Sequence, residues 1–420
     1  MSDYFYFRNL SHSLYVFISR LALELHNNNI SDVFFLSREG HFLKQMFDIY
    51  AQEHFSSSPL KTHYLKVSRR STFLLSLGDL SHESFTVLFR QYRNISANDF
   101  LDSLTLRDIS EQLAIELDIS PTDFNHVTQD FPTSRFFTLL LRSEFFRHCY
   151  ESKRLATSNA FSSYLSSYYD NNLLPRSLYL VDVGWKGSIQ DNLHSWIIQS
   201  DITLRSITGY YIGLQGSAQT SATNKKHGLI FSDTKSAGLS YGYHVFNEFK
   251  TIYEIILHSD HGAVREYKLN AQHTCDVVED DYIEQEMISR NIQAKSNFIF
   301  TDFVRLVNSH SKVDAISSFS TIRMILRHAS MVFAPSAHEA AWVESLTHRE
   351  HFGVFNNSTL GSSSYNKSFT ERFIFSMHVV RYKSLPISSF WPTLTLRQNA
   401  LPGLSILYAL YRLWSLLKVS

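Results

Sequence analysis

The chain has very little cysteine, with only Cys149 and Cys275 among its 420 residues. The two lie far apart and belong to no Cys-x-x-Cys or Cys/His spacing, which excludes a disulfide scaffold and gives no indication of a zinc site. Such sparing use of cysteine is typical of proteins in a reducing compartment.

Net charge is also absent, because 39 Lys and Arg residues balance 39 Asp and Glu residues. Without a basic field there is no electrostatic reason to expect nucleic-acid binding. No run approaches the roughly 18 consecutive apolar residues that a transmembrane helix needs. The first residues also lack a basic segment that leads into an apolar one, so we expect no secretory signal and a cytoplasmic location.

The C-terminal region does have a biased charge. From Arg372 onward it contains six Lys or Arg residues and no acid, and it ends in LSILYALYRLWSLLKVS. Leu, Tyr and Trp interleaved with Arg412 and Lys418 are typical of an interfacial helix that contacts anionic lipid, here the inner membrane. A helix that packs on the protein body or on a partner explains the pattern equally well, and the sequence leaves both interpretations open.

Strand and helix patterns alternate in two parts of the chain. After a helical pattern at 10–29, DVFFL predicts a strand, FLKQMFDIY a helix and HYLKV a second strand. The order returns at LYLVDVGWKGSIQDNLHSWI, which begins at residue 178, and SITGYYIGL predicts a further strand. Such alternation is typical of parallel βαβ units. We therefore predict an α/β core, with a Rossmann-like parallel sheet, formed by residues 1–79 and 171–270.

Helical patterns occupy the rest of the chain. Residues 80–170 contain segments that open with a hydroxyl residue and carry an acid or hydroxyl near the third helical position, as capped helices do. We predict that they form a large helical insertion that contributes to an acceptor site. Residues 271–420 are predicted to be mostly helical, with helices at 281–310, 317–330 and 336–347 and an exposed loop at 355–368.

Three predicted strands end in polar turns: SREG at 37–40, SRRST at 68–72 and DVGWKGS at 182–188. In open parallel sheets ligands bind beyond the carboxyl ends of the strands, so the three turns are expected to meet. Glycines that allow close backbone approach, a helix N-terminus and several basic side chains favour an anion, and Asp182 suits sugar hydroxyls or a metal. The combination predicts a phosphorylated sugar. For each turn taken alone, a glycine turn with a helix cap and surface arginines is the simpler interpretation.

Four segments together resemble a known domain: FFLSREGHFL, YLKVSRRS, LVDVGWKGSIQDNL and YEIILHSDHGAVREY. They resemble the domain that lies beside haloacid-dehalogenase-type phosphatases in bacterial polysaccharide biosynthesis proteins, over roughly residues 30–270. That domain is similar to the phosphoribosyltransferase fold. The resemblance implies transfer of a phosphoribosyl group from phosphoribosyl pyrophosphate (PRPP) to a glycan of O-antigen or capsule.

The resemblance also implies how the substrate is held. Gly187 and Ser188 would lie near the 5-phosphate, Asp182 near the ribose hydroxyls, and Arg38 with the amide of Gly40 on the pyrophosphate, together with Mg²⁺. The metal ligands are left open. The full set of predicted substrate-binding residues is Ser37, Arg38, Gly40, Ser68, Arg69, Arg70, Gly184, Trp185, Lys186, Gly187, Ser188, Gln190 and His261.

Three acids are candidates for catalysis. Asp182 is the first candidate for the general base, Glu254 the second, and Glu39 is placed near the leaving group. Glu39 stands where the family pattern usually has Asp, and the 182–188 loop has one acid where ordinary phosphoribosyltransferases have two. Attack by a sugar hydroxyl of a glycan or lipid-linked oligosaccharide would invert the anomeric carbon and leave a β-ribofuranoside 5-phosphate for a separate phosphatase.

Other functional classes remain open at this point. The chain size also suits a nucleotide-sugar-dependent glycosyltransferase. A phosphohydrolase of the haloacid dehalogenase type is disfavoured, because FFLSREG lacks a nucleophilic aspartate followed by a second acid two residues later. A catalytically silent PRPP-binding protein would bind without turnover. PRPP-dependent release of pyrophosphate separates these classes.

Overall fold

A five-stranded parallel sheet forms the centre of the protein, which confirms the predicted α/β class. The strands have the spatial order β2-β1-β3-β4-β5, and every neighbouring pair is parallel. They are β1 (Asp32–Leu36), β2 (Lys61–Leu65), β3 (Ser177–Trp185), β4 (Ser206–Leu214) and β5 (Asn224–Ser232). The computed structural model describes residues 7–56, 60–216, 220–233, 242–281, 292–311, 318–352, 354–359, 367–386 and 389–417.

Helices surround this sheet and account for most of the remaining structure. In chain order they are α1 (Arg8–Asn27), α2 (Gly40–His54), α3 (Arg69–Ser76), α4 (Thr86–Phe89), α5 (Ala97–Ser103), α6 (Ser110–Glu116), α7 (Arg135–Arg142), α8 (Glu144–Ser166), α9 (Ser188–Gln199), α10 (Tyr243–Phe246), α11 (Thr251–Ile256), α12 (Ile292–Ser309), α13 (Ser318–Phe333), α14 (Ala337–Glu344), α15 (Phe369–Tyr382), α16 (Pro392–Asn399) and α17 (Leu404–Leu417).

Both faces of the sheet are covered, because successive strand residues point to opposite faces. Val33 and Phe35 pack in one hydrophobic cluster with α1, α2 and α12. Phe34 and Leu36 pack in another, with α8 and α9. A strand that is buried on both faces has no polar alternation, which explains why DVFFL appears in the sequence as a short apolar run.

The segment between β2 and β3 has a hydrophobic cluster of its own. Aromatic rings dominate it: the ring of Phe100 lies 5.1 Å from that of Phe85 and 5.5 Å from that of Phe137. At its end, α8 returns to the sheet and places Phe161 edge-on against Trp196, with ring centroids 4.9 Å apart. Its described elements are mainly helices, and Ser96 opens α5 in a capping box with Asp99, as the pattern predicts. The predicted capped helix at 120–124 is only a short 3-10 helix at Asp123–Asn125.

Two hairpins differ from the predicted pattern. β6 (Val264–Leu269) pairs antiparallel with β7 (Cys275–Glu279), so the predicted boundary at residue 270 falls inside a hairpin that packs on the sheet. β8 (Thr347–Phe352) pairs with β9 (Val354–Thr359), so the start of the predicted 355–368 loop is a strand. Residues 360–366 of that loop, and residues 282–291 of the predicted 281–310 helix, lie outside the described residues.

Helix α17 packs on the protein through one face. Tyr408 donates a hydrogen bond of 2.9 Å to Glu248, a buried acid whose carboxylate also lies 3.8 Å from Arg412. In the parts of the chain that the structure describes, no helix has the length and apolarity needed to cross a membrane. The outer face of α17 exposes the large apolar side chains Ile406, Leu407, Leu410, Tyr411 and Trp414.

Candidate functional site

The ends of β1, β2 and β3 lie side by side at one edge of the sheet. Phe35 pairs with Val181 of β3, and Leu36 pairs with Leu65 of β2. The strand order changes direction between β1 and β3, which is where doubly wound sheets bind their ligands. The turns at 37–40, 68–72 and 182–188 follow these strands. We call the charged side chains that meet there the sheet-edge cluster: Arg38, Glu39, Arg69, Asp182, Lys250 and Glu254.

Asp182 lies at the centre of the electrostatics of this cluster. Asp182 is only 8% exposed. Burial, and then the charge of Glu39, raise the pKa of its carboxyl group to about 8. A hydrogen bond of 2.8 Å from the Val183 amide and the charge of Arg69 act in the opposite direction, and Glu254 raises the pKa further. The fold therefore favours the protonated form of the Asp182 carboxyl group.

Glu39 interacts with the same groups. Its pKa is raised by burial; the charge of Arg38 opposes that shift and the charge of Glu254 adds to it. The Arg38 amide donates to the Glu39 carboxylate at 3.2 Å. The three acids that the sequence singled out thus lie close enough to influence one another's protonation. A bound cation, such as a metal ion that arrives with a phosphate compound, would relieve that repulsion between the acids.

Trp185 fixes the position of Glu254. Its indole nitrogen donates to the Glu254 carboxylate at 2.6 Å, and its ring stacks on Phe231 at 5.7 Å. Trp185 is only 7% exposed, so its ring packs against protein, which leaves little ring surface for the substrate binding predicted for it. Its contribution is to hold one of the candidate acids.

Lys250 is a member of the cluster that the sequence analysis missed. Its ammonium group lies 5.6 Å above the Trp185 ring and bonds to Gln215. Burial lowers its pKa, the charge of Glu254 raises it, and the charges of Lys186 and Arg69 lower it further. The available indication was the spacing of four residues between Lys250 and Glu254, because such spacing places both side chains on one face of a helix.

The start of α9 is arranged to receive an anion. Gly187, with φ at 68°, occupies the N-cap position without a side-chain hydrogen bond to the helix amides. A Cβ at Gly187 would lie 2.9 Å from the side chain of Lys226, which is buried beneath the turn and donates to the Lys186 carbonyl at 3.1 Å. Lys186 and Ser188 are exposed beside these amides. Unpaired amides and the exposed Lys186 give this turn a positive potential, whereas the charge of Lys226 is balanced by Asp191, 2.6 Å away.

Two residues predicted to bind substrate have structural contacts instead. The Ser68 hydroxyl caps α3, accepting from the Ser71 amide at 2.9 Å and donating to the Val264 carbonyl at 2.5 Å. Arg70 is 6% exposed and pairs with Asp102 of the helical insertion at 3.1 Å. Both side chains thus bond within the fold instead of facing a ligand, contrary to the prediction, whereas the charge of Arg69 acts on Asp182.

Gln190 is a third correction, because it is completely buried. Its amide nitrogen donates to the Asn224 side chain at 2.6 Å, and its oxygen accepts from the Tyr211 hydroxyl at 2.7 Å. These bonds join α9 to β4 and β5. The glutamine thus anchors the helix that carries the anion-binding turn and has no polar atom left for a ligand.

Ser37 and Gly40 shape the turn after β1. The Ser37 hydroxyl donates to the Val67 carbonyl at 2.6 Å and accepts from the Val67 amide at 2.8 Å, which ties β1 to the segment after β2. A Cβ at Gly40 would lie 2.8 Å from the backbone of Phe35, so only glycine lets α2 begin this close to β1. These residues position Arg38 and the first amides of α2.

Two histidines lie beside the sheet-edge cluster. His261 shares a hydrogen bond of 2.6 Å with the Tyr64 hydroxyl, which lies 3.4 Å from the Arg38 carbonyl. Burial and the charges of Arg38 and His261 lower the pKa of His258 to about 3. Among the described residues, no three His, Cys, Asp or Glu side chains form a group that would hold a metal by themselves.

A scan against protein-family models and a search of curated proteins found no match to this chain.

Proposed function

We propose that the protein is a PRPP-dependent glycosyltransferase that transfers a 5-phosphoribosyl group to a sugar hydroxyl of a bacterial surface glycan. One observation carries the proposal: basic and acidic side chains from three strand ends meet around Asp182, between the starts of α2 and α9. A ligand with phosphate at both ends and a hydroxylated ring between them matches this charge distribution. The motif resemblance supplies the choice of PRPP.

The two helix starts are assigned to the two phosphate groups. Neither α2 nor α9 has a side-chain hydrogen bond at its N-cap, so amides at both ends are available to oxygen ligands. The turn at Gly187 would receive the 5-phosphate, with Lys186 beside it. Arg38 and the start of α2 would receive the pyrophosphate, with Arg69 and Lys250 supplying further charge.

Mg²⁺ fits this arrangement as a partner of the donor. In phosphate-transferring sites Mg²⁺ takes one or two carboxylates and completes its shell with water and substrate phosphates. Asp182 and Glu39 would supply carboxylate oxygens; burial raises the pKa of both groups, and the charges of the other acids raise it further. When bound, the ion would stabilise the charge of the departing pyrophosphate.

The reaction is a displacement at the anomeric carbon. The acceptor oxygen forms a bond to C1 as the bond from C1 to pyrophosphate breaks, and the hydroxyl proton passes to a carboxylate. Glu254 is held in place by Trp185, and Asp182 must first lose its own proton, so both remain candidates for the base. The product keeps its 5-phosphate, which a separate phosphatase would remove.

Replacing Arg38 by Met tests the donor site. We expect PRPP affinity, measured by titration calorimetry with Mg²⁺, to fall by about tenfold or more, because a charge-assisted bond to phosphate is lost. Arg90→Met removes an exposed charge from the helical insertion and should leave affinity unchanged. Wild-type protein should also release pyrophosphate from PRPP in the presence of glycan acceptor. Absence of PRPP binding, or turnover with a nucleotide sugar or a phosphomonoester, would overturn the proposal.

The acceptor is proposed to be membrane-associated, with α17 contacting the surface of the inner membrane. Its exposed apolar face adjoins a C-terminal region with six basic residues and no acid after Glu371. We expect flotation with vesicles that contain anionic lipid, and loss of flotation in Leu407→Glu/Tyr411→Glu. Ile115→Glu/Val127→Glu, which changes two exposed apolar residues of the helical insertion, is the control. Equal flotation of all three proteins would reject the membrane contact.

A further inference from the structure

A second group of basic side chains lies on three packed helices and is separate from the sheet-edge cluster. Its residues come from the first turns of α1, from α12 and from one face of α13. We call it the three-helix cluster, and its members are Arg8, His12, Asp302, Arg305, Arg323 and Arg327.

Asp302 is the acid at the centre of this cluster. Its buried carboxylate lies 2.8 Å from the Arg305 guanidinium and 3.6 Å from that of Arg8, and it accepts from the Ser11 hydroxyl at 2.5 Å. One negative charge is therefore already shared between two arginines. The carboxylate of Asp302 therefore has little remaining charge to offset further cations nearby.

Arg323 and Arg327 bring two further positive charges to the same place. They are one helical turn apart on α13, and Asn9 of α1 donates to Ser330 at 3.2 Å, which holds the two helices together here. Burial lowers the pKa of Arg327, and the charges of Arg323 and Arg8 lower it further. Arg8 and Arg305 thus pair with Asp302, and Arg327 lies within electrostatic range of all three and of Arg323. The five groups carry a formal excess of three positive charges.

His12 supplies an independent observation. Its residue is only 4% exposed, and neither ring nitrogen has a hydrogen-bond partner in the described structure. Burial, and then the charges of Arg327 and Arg323, lower its pKa to about 4, so the ring is neutral and keeps one N–H donor. A buried donor without an acceptor is unfavourable, and an anion at the arginines would provide that acceptor.

We propose that the three-helix cluster binds a multiply charged phosphate compound, with Arg323 and Arg327 as the main ligands and His12 as a neutral donor. Planar guanidinium groups bind phosphate oxygens in pairs, which suits Arg better than Lys at such a site. A diphosphate group matches the excess of positive charge. The proposal stands on residues separate from the sheet-edge cluster and does not depend on the reaction assigned there.

Calorimetric titration of the full chain with inorganic pyrophosphate tests the proposal. Pyrophosphate also suits the sheet-edge cluster, so the Arg38→Met protein is the background in which the second site is measured. Adding Arg323→Met/Arg327→Met should weaken the remaining binding by about tenfold or more. The control pair Arg90→Met/Arg142→Met removes the same charge from exposed positions and should have no effect. Equal weakening by both pairs would reduce the effect to net charge and reject the site.

A measurement on wild-type protein covers the case in which the double variant does not fold. Phenylglyoxal modifies arginine, and mass spectrometry locates each modified residue. Pyrophosphate should protect Arg323 and Arg327 several-fold more than Arg90 and Arg142. Unchanged modification of Arg323 and Arg327 at saturating pyrophosphate would overturn the proposal.

Discussion

Asp182→Asn is expected to stabilise the protein against unfolding, and increasingly so as pH rises. The folded state raises the Asp182 pKa from 3.8 to about 8, so ionisation is disfavoured in the fold. Stability linked to the bound proton is complete below pH 3.8 and declines as pH rises to about 8. Asn has no such loss and can still accept from the Val183 amide. At about 1.4 kcal/mol for each pKa unit, the gain above pH 8 reaches about 6 kcal/mol at most.

Urea unfolding of both proteins at pH 5, 7 and 9 measures this difference directly. The gain in the free energy of unfolding should be smallest at pH 5 and largest at pH 9. Asp170→Asn is a matched control, since the Asp170 side chain is 94% exposed. A gain that does not change with pH would mean that Asp182 is already ionised in the folded protein at pH 5.

The same variant separates the two candidate bases. If Asp182 takes the acceptor proton, Asp182→Asn should lose about a hundredfold or more in turnover. If Glu254 takes it, Glu254→Gln should show that loss and Asp182→Asn should retain turnover. Loss in neither variant would remove both residues from the mechanism.

The parts of the site that the sequence predicts are those that depend on local order along the chain. A buried strand followed at once by a polar turn and a helix fixes which residues leave the sheet at its carboxyl edge. Arg38, Glu39 and Asp182 are correctly brought together for this reason. Parallel pairing of β1 with β3 then follows from the alternation of strands and helices.

Side-chain direction within the turns could not be predicted in the same way. Arg69 and Arg70 are adjacent, yet one helical step of about 100° turns the first toward Asp182 and the second toward Asp102. Gln190 lies in the sequence motif and was predicted to bind substrate, but its side-chain amide bonds α9 to the sheet. Lys226 reaches the site from a distant part of the chain, which no local pattern indicates, and Lys250 is indicated only by its helical spacing to Glu254.

Gly184→Ala is expected to lower the free energy of unfolding by a large amount, because the added methyl group has no room at this edge of the sheet. Gly184 has φ at +129°, and a Cβ there would lie 2.2 Å from the carbonyl oxygen of Gly213 on β4. Both the backbone angle and the contact are unfavourable, and the neighbouring strand cannot move without breaking the β3–β4 pairing. We expect a loss of about 3 kcal/mol or more in the free energy of unfolding.

Gly216→Ala separates the two causes of that loss. Gly216 also has a positive φ, +67°, but a Cβ there would meet no atom within 4 Å. Its substitution should cost only the backbone term, about 1 to 2 kcal/mol. Urea unfolding of both variants gives the comparison, and PRPP titration of folded Gly184→Ala should show weakened binding, because Asp182 and the α9 turn flank the altered residue. Equal costs for the two variants would mean that β3 and β4 are not packed this closely, and the placement of Asp182 at the end of β3 would lose its support.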